Sequence, residues 1–184
     1  MKLVTDFLKD KTAHLHDAAE VKFSSKKVFD KSYSKEDYFK FLNSNYLLYQ
    51  NFEGEIDSNL NPEYKEKIGW NKRRKLNLLV EEFSLNRHSF SKNFDAIILD
   101  NNEQAFGALY VLEGSTLGGN MIKKHLLQNE EFSNYHFLFL GWYGAETGTN
   151  WTQLKDLLNT EISEKQFEEA LKGAEKVYHF LLAN

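Results

Sequence analysis

Two groups of residues in this sequence have types and spacings that could carry chemistry: its histidines and a cluster of glycines. Neither has a thiol to work with, because the chain contains six His and no Cys. That composition removes disulfides, thiolate catalysis, iron–sulfur clusters and zinc–thiolate sites together. The histidines are His14, His16, His88, His125, His136 and His179. A metal centre built from several of them needs pairs at i,i+4 on one helix or an equivalent convergence. No such pair exists. His14 and His16 stand about 200° apart around a helix and cannot serve one ion. A site that uses one histidine remains open, and His16 is the better candidate. On a helix it shares a face with Leu8, Thr12, Ala19 and Glu20. Position alone leaves two readings: a half-buried histidine bonded to a backbone carbonyl, or a single neutral imidazole ligand to a haem iron in an apolar pocket.

The glycines lie in Gly107 to Lys124, GALYVLEGSTLGGNMIKK, at Gly107, Gly114, Gly118 and Gly119. The stretch has helical periodicity, yet each interior glycine costs roughly 0.5–1 kcal/mol relative to alanine. A helix that carries several glycines lets something come close to its backbone. That something is either another helix, packed on a GxxxG-like face at Gly114 and Gly118, or a flat ligand.

The elements that must position these residues read as helices. Residues 3–22 repeat Leu3, Phe7, Leu8, Leu15, Ala18 and Ala19 at spacings of three and four, with Thr5 or Asp6 as N-cap. Ser34 and Asp37 open a second helix in capping-box spacing, running through Tyr49 to Ile56 with apolar residues around most of its circumference. Pro62 starts a short piece ending near Lys67, and Lys72 to Phe83 is a further helix. Residues 84–102 are irregular, anchored by Phe94, Ile97 and Ile98; the glycine-bearing helix spans about 103–128. Tyr135 to Leu140 is a strand or a buried helical turn, and 141–148 is a glycine-rich loop. Helices over Trp151–Leu158 and Ser163–Leu182 close the chain. There is no internal repeat and no linker, so 1–184 reads as a single all-α domain.

Composition narrows the functional classes. Hydrophobic content of 41% and charged content of 27% over 184 residues suit a globular domain. The net charge of −4 is interspersed, which argues against nucleic-acid binding. The one dense basic run, Lys72-Arg73-Arg74-Lys75, reads as a solvated helix start. No apolar run approaches a membrane span, and the N-terminus lacks an apolar signal core, so a cytoplasmic location is expected.

Two motifs taken together decide between the readings. Lys9-Asp10-Lys11-Thr12-Ala13-His14-Leu15-His16-Asp17-Ala18-Ala19-Glu20, with Gly114-Ser115-Thr116-Leu117-Gly118-Gly119 downstream, resembles the haem oxygenase family. The first piece matches that family's proximal-helix pattern at Leu8, Lys9, Thr12, His16 and Glu20. The second, opened by Tyr110, resembles the kinked distal helix, in the form most similar to the bacterial, bacteriophytochrome-associated branch. Tyr143-Gly144 through Thr147-Gly148 to Trp151 resembles the same branch.

The resemblance implies a helical bundle that holds haem between its first helix and a kinked, glycine-rich distal helix. It implies His16 as iron ligand, Glu20 as a carboxylate one turn on, and Lys9 as a cation for a haem propionate. Thr12 and Tyr110 are implied to line the haem site. Gly114, Gly118 and Gly119 are implied as bare backbone over the porphyrin, and Tyr49 as a distal hydrogen-bond donor. Ser115 occupies a position where the mammalian branch has an aspartate, and a hydroxyl carries no charge and reaches less far. Lys155, Lys172 and Lys176 are further candidates for propionates.

The implied activity is cleavage of haem with O2 and electrons to biliverdin, CO and ferrous iron. The alternative is a haem carrier or sensor without turnover. No flavin or nicotinamide fingerprint stands in the chain, so electrons are expected from a ferredoxin, flavodoxin or flavin reductase. A thiaminase or di-iron relative would need a cysteine nucleophile or converging Glu and His residues that this sequence lacks.

Overall fold

A computed structural model describes residues 2–89 and 96–184 of the chain. Among these the regular structure is helical: α1 (Val4–Lys22), α2 (Lys26–Phe29), α3 (Lys35–Asn59), α4 (Pro62–Ile68), α5 (Leu76–Leu85), α6 (Asn102–Gly114), α7 (Gly119–Leu126), α8 (Thr147–Glu161) and α9 (Phe167–Ala183). The all-α expectation therefore holds, and most boundaries fall within a turn of those read from periodicity.

α1 buries Phe7, Leu8, Thr12, Leu15 and Ala19 along one face. It runs beside α9 in the same direction: Phe7 packs on Phe167 with ring centroids 5.3 Å apart, and Lys22 Nζ reaches the Leu181 and Leu182 carbonyls at the far end. Its N-cap is Leu3, which has no capping side chain, rather than Thr5 or Asp6. Thr5 instead lies inside the first turn, where its N–H and Oγ1 both donate to Asn159 Oδ1 of α8. A residue 154 positions away thus satisfies an orphan helix-start donor, which local sequence cannot reveal.

α3 opens with the expected capping box between Ser34 and Asp37 and is buried along most of its length. The basic run is not a solvated helix start. Trp70–Lys72 is a 3-10 turn, the chain then breaks, and α5 begins only at Leu76. Glu53 of α3 caps α5 from outside, accepting the Lys75 and Leu76 N–H groups. Arg73 and Lys75 are 2% and 1% exposed, so two of four basic residues point inward. Tyr135–Leu140 is neither strand nor helical turn. It is an irregular segment held by buried Glu82, whose carboxylate accepts the Leu138 and Phe139 N–H groups at 2.7 Å and the Tyr38 hydroxyl at 2.8 Å. In the 84–102 stretch Ile98 is exposed and Leu99 is the buried anchor, while Phe94 falls outside the described residues.

The tightest packing is between α6 and α9. A Cβ on Gly107 would overlap the Ala170 carbonyl oxygen, and one on Gly173 would overlap the Gln104 carbonyl oxygen. The helix-packing glycine of the sequence stretch is therefore Gly107, paired with Gly173, and not a Gly114/Gly118 face. Gly107→Ala should destabilise the fold by about 1–3 kcal/mol through overpacking, read as a lowered thermal midpoint. A variant as stable as wild type would show that the two helices can separate freely.

Candidate haem site

The glycine-bearing helix is broken where its sequence places hydroxyls beside glycine. α6 ends at Gly114, Ser115–Gly118 form a 3-10 turn, and α7 resumes at Gly119. Tightening from α to 3-10 geometry frees carbonyls at the end of α6. Ser115 Oγ donates to the Leu112 carbonyl at 2.7 Å and Thr116 Oγ1 to the Glu113 carbonyl at 2.7 Å, so neighbouring hydroxyls stabilise the break locally. Tyr49 Oη, from buried α3, points at the same Leu112 carbonyl from 3.4 Å, and its ring meets Phe139 edge-on. Burial drives the Tyr49 hydroxyl well above its ordinary pKa, with Glu113 adding to that shift and Ser115 opposing it, so it stays a neutral donor. Ser115 and Tyr49 thus converge on one backbone oxygen.

The three distal glycines face different surroundings. A Cβ on Gly114 would stand 3.4 Å from the Trp151 ring; one on Gly119 would press on the Gly141 nitrogen at 3.1 Å. At Gly118 the nearest atom is a methyl of its own helix, Ile122 Cδ1 at 3.8 Å, so the space beyond it is otherwise open. Leu117 and Met121 beside it are 47% and 51% exposed, an apolar surface at the mouth of the break.

Opposite stands α1. Two contacts pin the α1–α2 segment to the broken helix. Tyr110 Oη approaches the Thr5 carbonyl at 3.5 Å, and Phe29 of α2 meets His125 of α7 edge-on at 5.1 Å. His16 lies between Thr5 and Phe29, and Ser115–Gly119 lie between Tyr110 and His125. Tyr110 is half-buried against Trp151, and burial raises its hydroxyl to about 12. Thr12 is buried and donates to the Leu8 carbonyl at 2.8 Å, close to the Tyr178 hydroxyl of α9.

Lys9, His16 and Glu20 are exposed along the flank of the buried face of α1. The His16 side chain is 59% exposed rather than half-buried, with Nδ1 3.8 Å from Glu20 Oε1 and 3.9 Å from Asp17 Oδ1. At those separations the carboxylates flank the ring without hydrogen-bonding it, and Nε2 is left free to meet a metal. Among the described residues His16, Asp17 and Glu20 are the one group of three side chains close enough to share an ion, but all three are open to solvent. The donor chemistry suits haem iron better: one exposed imidazole on α1, and a broken helix that presents glycine and apolar side chains instead of further ligands.

A model of the Heme oxygenase family matches residues 3–183 of the chain. The chain belongs to the haem oxygenase family. It is accordingly an enzyme that degrades haem, with haem as both substrate and prosthetic group. Among solved structures it is similar to the NO- and CO-bound haem oxygenase of Neisseria meningitidis, with 20% identity and a TM-score of 0.74 over 98% of this chain and 89% of that one. At that identity the likeness speaks for the fold. None of the curated proteins compared with the chain matches it. No helix among the described residues is long and apolar enough to cross a membrane.

Two of the lysines considered for propionates are engaged elsewhere in this haem oxygenase. Lys172 Nζ pairs with Glu169 at 2.5 Å, and Lys176 Nζ binds the Ile98 carbonyl, Asp100 and Gln104. Lys155 rests 5.9 Å from the Trp151 ring. Glu169 also accepts from Gln104 and Asn101, tying α9 to the start of α6. Lys172, then Gln104 and Asn101, pull its carboxyl down to about 2. A carboxyl depressed in the fold contributes stability above its unfolded pKa and loses it as pH falls through the folded value. Glu169→Gln should therefore flatten the acid limb of the stability curve between about pH 4.5 and 2, measured by denaturant midpoints; an unchanged limb would remove Glu169 from acid unfolding.

Sequence reasoning missed the charged group behind the break. Glu113, 2% exposed, receives Arg73 Nη1 at 2.6 Å, Lys75 Nζ at 2.5 Å and the Tyr143 hydroxyl at 3.0 Å. Lys75 Nζ also reaches the Tyr143 hydroxyl at 3.2 Å and lies 5.5 Å from the Tyr49 ring centre. Burial lowers the Lys75 pKa while Glu113 opposes the shift. The Glu-Gly-Ser wording held the only available signal, a carboxylate inside a hydrophobic helical run.

Proposed function

We propose that the chain opens haem with O2 and externally supplied electrons to biliverdin, CO and ferrous iron, with His16 as the axial ligand. The observation that carries this reading is the pinned pair of segments, with exposed His16 on one and the open backbone of Gly118 on the other. Bound haem supplies the iron that takes up O2 and the porphyrin carbon that is oxidised. The chain's own residues orient and enclose. His16 would hold the iron through Nε2, with the Glu20 carboxylate near Nδ1 to favour a hydrogen-bonded ring edge. Gly118, with no side chain, lets the opposite helix lie against the plate, and Leu117 and Met121 exclude bulk water from its face. Gly114 and Gly119 keep Trp151 and the 140–141 backbone close behind that wall.

Ser115 and Tyr49 are the two hydroxyls that meet the Leu112 carbonyl at the break. Their shared bond to the Leu112 carbonyl leaves their oxygen lone pairs able to accept from a distal water, a neutral substitute for a carboxylate. Lys9 and Thr12 border the haem edge on α1, and Tyr110 closes one end. Electrons come from a separate ferredoxin, flavodoxin or flavin reductase, in the cytoplasm, and residues 1–184 act as one domain. The family assignment favours turnover over the carrier or sensor reading. Reconstitution of the purified chain with hemin, followed by ascorbate or a reductase in air, should replace the Soret band with biliverdin absorption. A Soret band that persists without biliverdin would overturn the proposal.

A further inference from the structure

Besides Arg73 and Lys75, which hold Glu113, one segment bonds to the broken helix on both sides of the break. Before the break, Glu113 is bound by the Tyr143 hydroxyl at 3.0 Å. After the break, Asn120 Nδ2 donates to the Gly144 carbonyl at 2.8 Å and to Thr147 Oγ1 at 3.2 Å. Between these grips, the missing side chain of Gly119 lets the Gly141 nitrogen approach. Gly141 has φ +73°, in the left-handed region, and a Cβ there would overlap Asn120 Oδ1. Both the conformation and the space at that position call for glycine. Lys123 adds a further tie, to the Phe137 carbonyl at 3.2 Å. The segment is braced internally by Thr147 Oγ1, which donates to the Gly144 carbonyl at 2.9 Å, and anchored by the buried Lys75 ammonium, 4.8 Å from the Tyr143 ring centre.

A 3-10 turn between two α-helical stretches has poorer hydrogen-bond geometry than the helix it interrupts and acts as a hinge unless its flanks are fixed. Here both flanks bond to residues within five positions of each other, Tyr143 and Thr147. On the front, Leu117 and Met121 are exposed, and the Ser115 and Thr116 hydroxyls bond back to carbonyls of α6, which stabilises the turn without tying α6 to α7. We propose that Gly141–Thr147 is a splint that sets the angle of the distal break, and that Asn120 and Tyr143 are positioning residues for the haem face although neither lies on it. This rests on the haem reading of that face, but the rigidity of the break is a property of the protein without haem.

The test uses Asn120→Asp and Tyr143→Phe, which keep size and shape while removing the donors. In haem-free protein, amide hydrogen exchange across 115–126 should accelerate by about tenfold or more in either variant, while exchange in α1, α3 and α9 stays at the wild-type rate. In the ferric hemin complex, the pH of the spectroscopic transition from bound water to bound hydroxide should move. Biliverdin formation should fall by about tenfold while hemin affinity changes by less than about threefold, as expected for a misplaced wall rather than a lost contact. Unchanged exchange across 115–126 in both variants would overturn the splint whether or not hemin binds. Accelerated exchange with an unmoved ferric transition would overturn the positioning role. Failure of wild-type protein to bind hemin would sink the haem reading of this face, and the positioning role with it, while exchange still reads the splint.

Discussion

Replacing His16 with alanine is expected to leave the apo fold intact and to remove axial ligation. The side chain is 59% exposed and contributes no buried contact, so the stability change should stay within about 0.5 kcal/mol. The ferric hemin complex should lose its imidazole-ligated spectrum, and biliverdin formation should fall by more than the roughly 10–100-fold typical of losing a residue that only supports a ligand. Added imidazole should restore the spectrum by filling the space left on α1. Glu20→Gln is the graded control: with Nδ1 3.8 Å from the carboxylate, its loss should weaken turnover by at most about tenfold while ligation persists. Hemin spectra of His16→Ala identical to wild type would remove His16 as the ligand.

Glu113→Ala should produce the largest loss of stability. Its carboxylate is 2% exposed and meets two cations, Arg73 and Lys75, that are equally buried. Removing one partner of a buried ion pair costs about 3–5 kcal/mol because the remaining charges stay desolvated. For a chain of this size that corresponds to a fall of about 6–20 °C in Tm, at about 2–4 °C per kcal/mol. Lys75 has the escape of deprotonating, since burial already lowers its pKa, whereas a guanidinium does not. Glu113→Ala should therefore lose part of its destabilising effect as pH rises and Lys75 sheds its proton. Paired thermal melts at about pH 7 and 9.5 check this. A variant within about 1 kcal/mol of wild type at pH 7 would show that the two cations find other partners.

Periodicity and turn chemistry determined much of this protein. The α1 and α3 faces, the Ser34–Asp37 box, the Pro62 start and the last helix are dictated by contacts three or four residues apart, and such contacts are written in the chain directly. The haem motifs were legible for the same reason: Leu8, Thr12 and His16 lie on one helix, and Gly114 to Gly119 are consecutive. Even the break has a local cause in Ser115 and Thr116 bonding back three residues.

What the tertiary structure alone decided involves partners far apart in sequence. Gly107 and Gly118 look alike as letters, yet one meets the α9 backbone and the other meets open space, because that depends on which helix packs where. Lys72 to Lys75 resembles any solvated basic run until Glu113, 38 positions beyond Lys75, draws two of its members inward. Asn159 completes the start of α1, and Tyr143, Gly144 and Thr147, in a stretch whose sequence announces only flexibility, bond to Glu113 and Asn120 on either side of the break. A buried charge or an orphan N–H must be satisfied by whatever the fold brings near it, and that neighbour is fixed by three-dimensional packing.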